Sequence, residues 1–61
     1  MNLPLYVIFF VRPATMELVE EYFYTTRAAR NFLWDNRNKI IDPTIYLFGS
    51  MTEITEKDLR D

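Results

Sequence analysis

Seven consecutive residues, Leu5-Tyr6-Val7-Ile8-Phe9-Phe10-Val11, are aliphatic or aromatic, with no charged position among them. A run this dense in β-branched and aromatic side chains fits a pleated strand that is apolar on both faces. Alternation puts Leu5, Val7, Phe9 and Val11 on one side and Tyr6, Ile8 and Phe10 on the other. The run is too short to cross a membrane as a helix, which takes about 20 apolar residues. Any sheet built on this strand must therefore cover, or offer, two apolar faces.

That demand falls on only 61 residues. A chain of this size buries about 60% of the surface it exposes when unfolded, so its core is marginal unless something reinforces it. Cysteine and histidine are both absent, which removes disulfides and the usual structural zinc ligands. An aromatic-rich core or a second chain is left to supply the stability. With one glycine and three prolines there is no linker or repeat, and the expectation is a single α+β domain over residues 1–61.

The remaining elements follow in order. Leu5–Arg12 is the first strand, and Arg12-Pro13-Ala14-Thr15 the turn that ends it. Met16–Tyr24 reads as a returning, partly exposed strand, with a helix as the competing reading because Met-Glu-Leu-Val-Glu-Glu favours one on propensity. Thr25 or Thr26 caps a helix whose Ala29, Phe32, Leu33, Asn36 and Ile40 share one side. Asn38 to Asp42 unwinds it and Asp42-Pro43 marks a stop. A third strand, Thr44–Phe48, is broken at Gly49. In the tail, Thr55-Glu56-Lys57-Asp58 resembles a helix start, giving either a short C-terminal helix or a frayed end. The predicted order is ββαβ, a hairpin, a helix across one face and a third strand, which the crossover is long enough to lay parallel beside the first.

Catalytic groups are scarce. No histidine is present to move protons and no cysteine to attack. Ser50 has no conventional activating base, and Gly49 stands alone where a phosphate loop would need several glycines. Glu20 and Glu21 point to opposite faces of a strand, while Glu17 and Glu21 share a face about 13 Å apart, too far to hold one metal ion. No cofactor, metal or small-molecule substrate is expected.

Two surfaces could bind a partner. Arg27, Arg30, Trp34 and Arg37 recur at helical spacing away from the Ala29/Phe32/Leu33 stripe, flanked by Asn31 and Asn38. Arginine stacked on tryptophan is a common interface anchor, although a tryptophan in so small a domain is often folded over the core edge. The sheet offers the other surface. Ile45 and Leu47 lie opposite Tyr46 and Phe48, so the third strand is also apolar on both faces while one helix covers only one. Tyr6, Phe10, Tyr46 and Phe48 are the aromatic candidates there. Met51, Ile54 and Leu59 of the tail are the alternative cover for the second face.

These features predict a non-catalytic protein-binding module, an inhibitor, antitoxin-like or adaptor protein of the kind phages and mobile elements encode. Its partner is another protein or a second copy of itself. The alternative is a nucleic-acid-binding module using the basic helix and the sheet aromatics. Phe23-Tyr24-Thr25, leading to Ala29 and Phe32, resembles the strand-to-helix junction of AP2-like domains in phage integrases, a junction common to small α+β proteins. The net charge of −2 and the glutamates of the second strand weigh against nucleic acid. Met1-Asn2-Leu3-Pro4 lacks the basic opening of a secretory signal, so the expected location is cytoplasmic, with no membrane association.

Overall fold

The computed structural model describes residues 2–60. Its elements are β1 (Tyr6–Arg12), β2 (Glu17–Phe23), α1 (Thr26–Asn36), β3 (Ile41–Leu47), β4 (Thr52–Ile54) and a 3-10 turn at Glu56–Asp58. The strands form one antiparallel sheet in the order β2-β1-β3-β4. No helix of the described residues is long and apolar enough to cross a membrane.

The α+β class and the ββαβ order hold, with a fourth strand added. Residues 17–23 are strand, which settles the choice left open by their helix-favouring composition. They pair along the whole of β1, from Tyr6 with Phe23 to Arg12 with Glu17. Pairing of Leu18, Val19, Tyr22 and Phe23 with an apolar strand outweighs a propensity difference of a few tenths of a kcal/mol per residue.

The predicted direction of the third strand is corrected. β3 runs antiparallel to β1, not parallel. A helical crossover returns the chain to the end at which the preceding strand began. The strand it feeds therefore copies the direction of β2, and β2 is itself antiparallel to β1. β1 thus lies between two mutually parallel strands.

β3 also begins earlier than the Pro43 stop implies. Asp42 takes a left-handed φ of 47° and the register shifts between Phe9 and Val11, so Ile41-Asp42-Pro43 is absorbed as an irregularity. Proline is tolerated at such a site because no ladder N–H is required of it. The other end of the strand leads into a second hairpin that repeats the first. In both, the N–H of a methionine donates to the carbonyl of the last strand residue, Met16 to Arg12 and Met51 to Leu47, each at 2.7 Å. Both methionines are left-handed, with φ of 58° and 52°.

The helix is placed by its ends. Thr25 is the N-cap, its hydroxyl accepting from the Ala28 N–H at 3.0 Å. Near the other end, the Asn36 side-chain amide donates to the Phe32 carbonyl one turn back at 2.9 Å. Ala29 and Leu33 are buried against Tyr6, Ile8, Phe10 and Ile45 of the sheet. Phe32 bridges β1 and β2, its ring centroid 5.4 Å from Phe10 and 5.0 Å from Phe23. Tyr6 reaches the helix start, with its hydroxyl 3.0 Å from Thr26 Oγ1.

The tail completes this same side. Leu59 is buried in the cluster that contains Ala29 and Leu33, and Ile54 packs against it. Of the three tail residues named as alternative cover for the second face, Ile54 and Leu59 instead join the helix in covering the first, and Met51 alone stands on the second. Thr55 and Asp58 hold the turn that delivers Leu59, the Asp58 carboxylate accepting from the Thr55 N–H at 3.0 Å.

Candidate functional site

The register fixes what lies on the face opposite the helix. Residues paired directly across an antiparallel ladder share a face. One row reads Glu20, Phe9, Thr44 from β2 through β1 to β3. The next reads Tyr22, Val7, Tyr46, Glu53, ending on β4. Leu18 pairs with Val11 at the β1–β2 hairpin end. No helix crosses this face, because α1 and Leu59 are both committed to the other.

The side chains instead roof one another. Val7 is 1% exposed although no element lies above it. Its row neighbours are the rings of Tyr22 and Tyr46, and Tyr22 meets Phe48 edge-on at 5.7 Å. Phe9 and Tyr46 make a second edge-on pair at 5.6 Å. Edge-to-face contacts of this kind stiffen rings against their neighbours, so the patch is preorganised. Leu18 at 71% and Met51 at 50% exposure stand at its margins. Phe9, Leu18, Thr44, Tyr46 and Met51 together line a shallow open depression in the face.

Met51 stands there on a left-handed backbone, a conformation that costs a side chain bearing Cβ roughly 1–2 kcal/mol and that glycine adopts freely. Its thioether is flexible and polarisable and adapts its shape to whatever packs against it. Met16 occupies the equivalent turn of the other hairpin and is 69% exposed.

Glu20 is linked to the aromatic patch. The Tyr22 hydroxyl donates to the Glu20 carboxylate, and this bond holds the phenol above its ordinary value of 10.0. Desolvation and the carboxylate's charge push in the same direction. A raised folded-state value gives a contribution to stability that is present below the unfolded phenol's pKa and lost as pH climbs through the folded one. Glu20→Gln is expected to shift Tyr22 titration to lower pH, followed by ring-carbon NMR shifts. An unmoved curve would show that the carboxylate does not engage the hydroxyl.

The predicted site residues divide between surfaces. Tyr46 and Phe48 belong to the open face. Tyr6 and Phe10, at 9% and 4% exposure, lie on the opposite side, packed in the cluster with Ala29, Leu33 and Leu59. Alternation along β1 separates Tyr6 and Phe10 from Phe9, but only the pairing of Val7 with Tyr46 shows that Tyr46 sides with Phe9. Phe9, Leu18, Glu20, Tyr22 and Met51 were not among the partner-binding candidates, Met51 being named only as tail cover and Glu20 only as a carboxylate. For the first four the signal was the odd-numbered set on β1 matched to the even-numbered set on β2; Met51 lies in the β3–β4 turn, outside both.

Arg27, Arg30, Trp34 and Arg37 do share one flank of α1. Trp34 stands clear of the core at 61% exposure, with the Arg37 guanidinium carbon 4.1 Å from its ring centroid. Arg27 and Arg30 also have partners within the chain. Among the described residues, no group of three or more acidic side chains is gathered closely enough to hold a metal ion.

Comparison with family models, with curated proteins and with solved structures finds no match to this chain.

Proposed function

We propose that the chain is a non-catalytic protein-binding module and that the sheet face opposite α1 is its docking surface. The observation that carries this reading is the position of Leu59. Ile54 and Leu59 of the tail are spent on the first face, which leaves Phe9, Leu18, Tyr22, Tyr46 and Met51 together without a covering element. A contiguous apolar patch on a small domain usually marks an interaction site. Preformed aromatic pairs lower the side-chain entropy lost on binding. Inhibitor, antitoxin-like and adaptor proteins all act by such docking. The Trp34/Arg37 pair on the helix is narrower and already stacked on itself, and the docking role is not assigned to it.

A photo-crosslinking residue at position 18, with position 31 on the exposed side of α1 as control, tests the assignment in the cells that make the protein. A discrete protein adduct from position 18 and none from position 31 is expected. No adduct from position 18, or the same adducts from both, would rule out the face as the docking surface.

A further inference from the structure

We infer that the open face seats a basic amphipathic helix of another protein, an inference that rests on the docking role proposed above. Charge is the first argument. Glu20 and Glu53 are the ionisable carboxylates in the two rows of this face, one on each outer strand. Arg12 is the sole lysine or arginine within the strands, and alternation places it on the side of Phe10. The strands therefore make this face aromatic at its centre and acidic at both margins, and contribute no cation to it.

Spacing is the second argument. Three strand intervals separate β2 from β4, about 14 Å, and the two glutamates are offset by two residues along the strands, about 7 Å. An α-helix with its side chains is about 10–12 Å across and rises about 5.4 Å per turn. Laid over β1 and β3, it would rest an apolar stripe on Phe9 and Tyr46. Lysine or arginine on its two flanks, roughly one turn apart, would then reach Glu20 and Glu53. Their methylene stems would lie along Leu18, Tyr22 and Met51. An extended peptide lying along the strands is only about 5 Å wide and would not span from Glu20 on β2 to Glu53 on β4.

A second copy of the chain fits less well. Four strands of this length present roughly 400 Å², about half of what each partner contributes to a standard stable interface. Stacking two such faces would also bring the acidic margins of two copies together with no strand cation between them, which is unfavourable. The molecule's own helix-flank arginines are already engaged, Arg37 on Trp34 and Arg27 and Arg30 with partners within the chain.

Two labelled helical peptides form the test, one with a leucine stripe flanked by lysine and one with glutamate in place of every lysine. Fluorescence anisotropy with the full chain is expected to show the lysine peptide bound at least about tenfold more tightly, an advantage that shrinks as salt is added. The double variant Glu20→Gln/Glu53→Gln should lose most of that advantage while its circular dichroism melt stays cooperative. Equal binding of both peptides, abolished by Leu18→Asp, would overturn the basic helix and leave the docking role standing. Binding of neither peptide overturns the inference alone if the position-18 crosslink forms, and both readings if it does not. A mass by light scattering that doubles at the working concentration, with the peptide excluded, would assign the face to a second copy and also overturn the inference.

Discussion

Ile8→Ala is expected to destabilise the domain by about 2–5 kcal/mol, enough to leave much of it unfolded at physiological temperature. Ile8 is fully buried and sits at the centre of the sheet, paired to Glu21 on β2 and to Ile45 on β3. It packs in the cluster formed with Ala29, Leu33 and Leu59. Removing its outer carbons costs the transfer energy of the lost methyl and methylene groups and leaves a cavity. Three secondary elements fixed by backbone hydrogen bonds surround that cavity, so it closes only in part. A chain of 61 residues typically has about 3–9 kcal/mol of total stability, so the loss consumes a large share of it. Urea denaturation of the wild type and variant measures the difference. Leu18→Ala is the control, since a side chain 71% exposed should change stability by no more than about 0.5 kcal/mol. Equal losses from the two variants would mean that the open face, not the helix side, holds the fold together.

That contrast between neighbouring positions shows what sequence reasoning reaches. Local signals were legible: Thr25 as a cap, the Ala29/Leu33 stripe, and the alternation of Leu5–Arg12. Each depends on residues a few places apart, where chemistry and geometry are tied together by one period. The surplus of apolar faces over helices was legible as well, and it is the feature on which the functional reading stands. The destination of each face was not. Placing Tyr46 beside Phe9 instead of Phe10 requires the register between strands more than thirty residues apart, and a shift of one residue exchanges every side chain between faces. The early start of β3 was hidden for a related reason. Pro43 is a stop signal locally, and only the shift between Phe9 and Val11 makes room for it in a ladder. Met16 and Met51 carry no turn signature at all. Their left-handed backbones are imposed by matching hairpin closures, where composition alone would suggest glycine or asparagine.

Leu59→Ala carries the second large expected effect, about 2–5 kcal/mol, from a residue that a reader of the sequence would leave in a frayed tail. Its side chain is 2% exposed and belongs to the same cluster as Ile8, Ala29, Leu33 and Ile45. Over β3 and β4 the helix contributes little cover, because its contacts fall chiefly on β1 and β2. Leu59 and Ile54 supply what it lacks. The turn before it is arranged for that purpose: Asp58 accepts from the Thr55 N–H, and the Leu59 N–H donates to the Glu56 carbonyl at 3.1 Å. Asp58→Ala should consequently cost about 1 kcal/mol, a smaller loss because the capping bonds are solvent-exposed and only position the leucine. Chemical denaturation of the two variants should show Leu59→Ala clearly the weaker. A loss below about 0.5 kcal/mol from Leu59→Ala would mean that the tail is not part of the core. It would then be available to fold over the opposite face, and the docking surface would lose the observation on which it rests.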